Sequence, residues 1–93
     1  MDVLYAKSFD KDIDRLRHHK EILKKLADSI VEIKSCKRVI DLRNIKKLEG
    51  YQCYYRIKIG DYRLGIKLDR NRMVLLRFLH RKDVYKHFPP DSL

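Results

Sequence analysis

The chain has 93 residues, 23 of them lysine or arginine and 13 aspartate or glutamate, so it carries a net charge of +10. That length suits one domain with a single core, and two cysteines, Cys36 and Cys53, are too few for a disulfide framework or a zinc cluster. No apolar run approaches the ~20 residues of a membrane span, and the opening MDVLYAKSF lacks the basic lead and apolar length of a signal peptide, so a cytoplasmic, free-thiol protein is expected.

Asp2 to Lys7 alternates Val3 and Tyr5 against Leu4 and Ala6, as an opening strand does. Ser8 is a suitable N-cap for the helix that follows, and Asp10 suits its first turn. Phe9, Ile13 and Leu16 recur at helical spacing. The period falters at Arg17-His18-His19-Lys20, which predicts a turn between two helices. The second helix carries a wide apolar stripe, Ile22, Leu23, Leu26, Ala27, Ile30, Val31 and Ile33, and should end near Cys36–Arg38. Val39 to Gly50 reads as a loop tacked to the core by Leu42, Ile45 and Leu48.

Cys53 to Leu68, CYYRIKIGDYRLGIKL, reads as two strands joined at Gly60-Asp61. Successive strand side chains face opposite sides. Cys53, Tyr55, Ile57 and Ile59 therefore share one face with Tyr62, Leu64, Ile66 and Leu68. Tyr54, Arg56, Lys58, Arg63 and Lys67 share the other. Asp69 to Arg72 is a polar turn, and Met73 to Leu79 completes a three-stranded antiparallel meander, with Arg77 assigned to the basic face. Arg81 to Phe88 suits one short helical turn, stopped by Pro89-Pro90. The expected architecture is α+β: an N-terminal strand, a two-helix hairpin, the meander and a short C-terminal helix. The helices would cover one sheet face and leave the opposite face open and basic.

Charge follows the same division. Residues 1–50 hold 13 basic and 9 acidic residues, the mixture of a solvated surface, whereas 51–93 hold 10 and 4. A one-signed face suits a polyanion such as nucleic acid, a ribosome, an acidic protein or a membrane surface. No glycine-rich phosphate loop, zinc-type spacing or nucleophile elbow is present, and His18-His19 fit a solvated turn better than a metal site. What remains is the basic face together with His80-Arg81-Lys82-Asp83-Val84-Tyr85, delivered to its rim by the last strand. Guanidinium forks bind phosphate oxygens in pairs, and tyrosine rings such as Tyr54 or Tyr85 stack on unpaired bases. Crowded cations also lower the pKa of a neighbouring lysine or tyrosine, which can then exchange a proton near neutral pH.

The order YYRIKIGDYRLGIKLD, an apolar strand and then HRKDVY, with a Leu48-Glu49-Gly50 lead-in, resembles the RelE/ParE superfamily of toxins from type II toxin–antitoxin pairs. The resemblance spans nearly the whole chain and leans to the RelE-like mRNA interferase branch. It implies a RelE-like microbial ribonuclease-type fold over residues 1–93. The implied activity is ribosome-dependent, metal-independent cleavage of mRNA that inhibits translation, with no cofactor, and the implied partners are a cognate antitoxin, the ribosome and mRNA, with no membrane. In that branch the family pattern has two basic residues on the first hairpin strand, here Arg56 and Lys58. It also has the GDYR arginine, Arg63, a late basic or histidine position, His80 or Arg81, and a tail aromatic, Tyr85. Lys58 or His80 would take the 2′-proton, while Tyr54, Lys67, Arg77 and Lys82 would contact RNA. Two departures matter. Some relatives have lysine where Arg56 stands, and guanidinium is a poor proton acceptor; the spacing around the late arginine also varies, so His80 and Arg81 compete for one role. The alternatives are a ParE-like DNA gyrase inhibitor, whose branch shares the fold and the GDYR-like turn, or a non-catalytic basic RNA-binding module.

Overall fold

The computed structural model describes residues 1–89. In chain order it contains β1 (Asp2–Tyr5), α1 (Lys7–Arg15), α2 (Lys20–Ser35), a 3-10 turn (Val39–Asp41), β2 (Ile45–Lys47), β3 (Tyr54–Ile59), β4 (Tyr62–Asp69), β5 (Arg72–His80) and α3 (Val84–His87). The sheet is five-stranded in the order β1-β5-β4-β3-β2, with β1 parallel to β5 and the other pairs antiparallel. The α+β architecture is the expected one, and the meander now sits inside a larger mixed sheet.

The β3–β4 hairpin turns where the alternation predicts. Gly60 has φ 58° at the first central position, a geometry that costs glycine nothing and a side chain much more. Ile57, Ile59, Leu64 and Ile66 face the helices, where they pack with Met73, Leu75 and Phe78 of β5 and Phe9, Ile22, Leu26 and Ile33 of α1 and α2. The α2 stripe is narrower than its sequence suggests, because Ala27 and Val31 are exposed.

Three expectations give way to tertiary contacts. Ser8 is not the N-cap of α1, which begins at Lys7 after an extended Ala6. The sheet edge sets that junction: Ala6 N–H donates to the Leu75 carbonyl at 3.0 Å. Since β1 stops at Tyr5, the rest of β5 has no strand on that edge. Ser8 and Asp12, one helical turn apart, take over its edge groups. The Ser8 hydroxyl donates to the Leu76 carbonyl at 2.7 Å, and the Asp12 carboxylate accepts the Phe78 N–H at 2.9 Å.

Part of the segment expected as loop is β2, pairing Ile45, Lys46 and Lys47 with Ile57, Arg56 and Tyr55. Three residues are too few to show a period.

The second sheet face is not fully open. The tail lies across it, with Val84 and Phe88 only 1% and 3% exposed. Phe88 sits against Gly65 of β4, where the missing side chain makes room for the ring. No helix among the described residues is long and apolar enough to cross a membrane.

Candidate nucleic-acid interface

Register decides which charges meet. β3 and β4 place Arg56 opposite Gly65, Lys58 opposite Arg63 and Tyr54 opposite Lys67. β2 adds Lys46 opposite Arg56. Directly opposed residues share a face, with Cβ atoms about 4.5–5.5 Å apart, and like charges so placed repel. Two such repelling pairs, Lys46 with Arg56 and Lys58 with Arg63, therefore stand on the tail-bearing face. Among the described residues, none of Lys46, Arg56, Lys58, Arg63 or Lys67 forms an ion pair. Such a field is relieved by a bound anion.

Tyr85 joins this face from α3. Tyr85 is 65% exposed, and the Arg56 guanidinium carbon lies 5.4 Å from its ring centroid, a cation–π approach. Together they line a groove of about 280 Å³ with Lys46, Lys47, Leu48 and Glu49. A guanidinium beside an exposed aromatic ring offers phosphate binding and base stacking within one nucleotide's reach. Lys46 and Lys47 are absent from the sequence-derived site. Their signal was a dibasic pair after Ile45, and only the pairing with β3 puts Lys46 on the face of Arg56.

The remaining residues are distributed unevenly. Arg63 folds back on its own turn, donating from Nη1 to the Gly60 and Tyr62 carbonyls at 3.0 and 2.9 Å. Arg81 stands at the same end of the hairpin. Its N–H donates to the Asp61 carbonyl at 2.8 Å, its Nε lies 3.7 Å from the Asp61 carboxylate, and its side chain stays mostly exposed. Lys82 is exposed just before α3. Lys67 is exposed at the opposite end of the face, while Tyr54 beside it is half-buried, edge-on to both Tyr51 and Phe88 at 5.7 and 5.8 Å.

Two residues lie apart from this group. His80 pairs with Tyr62, so it points to the helix side, away from Lys58 and Arg63. Its ring is edge-on to Tyr62 at 5.4 Å, and its Nδ1 accepts the Lys82 N–H at 3.2 Å. Arg77 donates from Nε and Nη2 to the Asp12 carboxylate at 2.8 and 3.0 Å. Asp12 is 2% exposed, so this guanidinium is committed to a buried partner rather than held free for a phosphate.

The family described as "ParE toxin of type II toxin-antitoxin system, parDE" matches residues 3–85. Over 90 residues the chain is 41% identical to Toxin RelE3 of Methanocaldococcus jannaschii, covering 96% of this chain and 100% of the relative. Among solved structures it is similar to the RelB–RelE antitoxin–toxin complex from Methanococcus jannaschii, with 38% identity, a TM-score of 0.76 and coverage of 92% and 99% of the two chains. YafQ from E. coli shares the fold at 17% identity, with a TM-score of 0.72 and coverage of 90% and 97%.

Proposed function

The chain belongs to the RelE/ParE superfamily of toxins of type II toxin–antitoxin systems, and on that premise we propose that it cuts mRNA on the ribosome and so halts translation. The observation carrying this is the groove where Lys46, Arg56 and Tyr85 meet beside the opposed Lys58 and Arg63. A membrane surface or an acidic protein would use the charge but has no need of an exposed ring beside a guanidinium.

In the proposed reaction the ribose 2′-oxygen bonds to the adjacent phosphorus as the bond to the next nucleotide's 5′-oxygen breaks. The products are a cyclic phosphate and a free 5′-hydroxyl, and no cofactor is required. Lys58, in its amine form, takes the 2′-proton. It is preferred to His80 because it shares a face with Arg56 and Arg63, whereas His80 is on the helix side. Arg56 and Arg63 balance the charge that builds on the phosphorane, and stabilising such developing charge commonly contributes most to catalysis of this kind. Arg81 holds the phosphate, the leaving oxygen takes a proton from water, and Tyr85 stacks on the base. The ribosome would supply the alignment of 2′-oxygen and phosphorus that a small open groove lacks. A cognate antitoxin with an acidic segment is the second proposed partner, since among the described residues none of Lys46, Arg56, Lys58, Arg63 or Lys67 has an acidic partner.

The family description names ParE, which favours one competing reading, a ParE-like inhibitor of DNA gyrase. Induction in a bacterium, with translation and DNA supercoiling assayed separately, distinguishes the two. Transcripts cut inside reading frames with normal supercoiling are expected. Damaged DNA with intact transcripts would replace the ribonuclease by the gyrase inhibitor.

A further inference from the structure

We propose that Gly65 is a positioning residue: the bare backbone it leaves in the middle of β4 is a seat for Phe88, and that seat holds Tyr85 over Arg56. Tyr85's part in this rests on the ribonuclease reading; the seat itself does not.

Glycine inside a strand weakens it, and often marks a place where another group must come close. The β4–β5 register shifts beside Gly65, but the extra residue, Leu76, lies on β5, and Gly65 itself has no positive φ, so conformational freedom is not what the position needs. Space is. A Cβ built there would lie 2.7, 2.7 and 2.9 Å from Cδ1, Cγ and Cδ2 of Phe88. One of the atoms met is Cγ, which a rotation of the ring cannot move aside. The ring is also confined laterally, edge-on to Tyr54 at 5.8 Å. Relief therefore requires the ring to swing out of its seat about Cα–Cβ or the backbone of the tail to lift.

That lift would reach Tyr85. The Phe88 N–H donates to the Val84 carbonyl at 2.8 Å, closing residues 84–88 into one turn with buried anchors at both ends. Tyr85 projects from between them and is mostly exposed. Its contact with Arg56 is a cation–π approach at an exposed site and is weak alone. The ring's position is thus set by Val84 and Phe88, and Phe88 is seated by the absence of a side chain at Gly65.

The test uses purified protein, with amide exchange and ribosome-dependent cleavage of mRNA as readouts. In Gly65→Ala the Phe88 amide should exchange faster by about tenfold or more, while amides of β3, β4 and β5 keep their protection. Cleavage should fall in kcat, and Gly65→Ala should cost nothing further in a Tyr85→Ala background. In a Phe88→Ala background Gly65→Ala should also be silent, because no ring remains to displace. Phe88→Ala alone leaves the strand untouched and should loosen the tail in the same way, which keeps the test valid if Gly65→Ala misfolds. Parental exchange at Phe88 in Gly65→Ala, or equal damage with and without the Phe88 ring, would overturn the seat. A loosened tail with an undiminished cleavage rate would overturn its link to Tyr85. Should the parent protein cleave no RNA, the ribonuclease reading fails, and the exchange rates still decide the seat.

Discussion

Tyr85 brings a flat ring and a hydroxyl to the groove, and substitution separates them. Base–aromatic stacking is worth about 1–3 kcal/mol per base, so Tyr85→Ala should slow cleavage by roughly 5- to 150-fold. Tyr85→Phe keeps the ring and should retain most of the rate; equal loss in both variants would show that the hydroxyl is what matters. Lys58→Ala should lower kcat more than it weakens ribosome affinity, the signature of a contact made mainly in the transition state. If folded Lys58→Ala cleaves at the parental rate, the proton is taken elsewhere. Asp12 is of a different kind. It accepts from Arg77 and from the Phe78 N–H while almost wholly buried. Asp12→Ala strands both donors and should cost roughly 2–4 kcal/mol in a denaturation experiment, a little below the range for a fully buried pair because Arg77 retains some access to water.

Among the elements, β2 is where the proposed function and stability pull apart. Its three residues bring Lys46 against Arg56, and β3 likewise opposes Lys58 to Arg63 of β4. Each like-charged pair weakens the sheet. Lys46→Glu turns one of them into an attraction, and should raise the denaturant midpoint by an amount equivalent to about 0.2–1 kcal/mol. The same change should depress cleavage, because a carboxylate now faces the phosphate. A parental cleavage rate in Lys46→Glu would remove β2 from the interface. Leu26 of α2 is the contrast: it is buried in the core on the helix side of the sheet. Leu26→Ala should cost ~2–5 kcal/mol and lose activity only through unfolding, with the folded fraction as active as the parent.

At the level of the whole molecule, the excess positive charge makes association salt-dependent. Neutralising four or five phosphates of a single strand gives a log–log slope of affinity against salt of roughly −3 to −4. A slope near zero in a ribosome- or RNA-binding titration would mean that the basic face is not the contact surface. The same face is where an acidic antitoxin segment should lie. Amide exchange of the toxin–antitoxin complex is expected to show protection around Arg56, Arg63 and Arg81; if those positions stay open, neutralisation acts through another surface.

Period-two alternation in residues 53–68, helical spacing in α2 and the punctuation at Gly60-Asp61 are local properties, so the hairpin, the helices and the side occupied by Arg56, Lys58 and Arg63 were legible in the sequence alone. So was a short tail helix carrying Tyr85. What a chain cannot show locally is who pairs with whom. Lys46 became a neighbour of Arg56 only through β2–β3 register. His80 fell on the helix side because it pairs with Tyr62, although its place beside Arg81 in sequence suggested otherwise. Ser8 is a good N-cap by propensity, yet its hydroxyl is held by the Leu76 carbonyl 68 residues away, because an edge group left without a strand is costly and outweighs a local preference. Arg77 looked like one more cation until Asp12, 65 residues distant, took its guanidinium. The tail's closure over Gly65 is the same case. A glycine in a strand reads as a weakness, and only the ring of Phe88, arriving from the far end of the chain, gives the empty space a purpose.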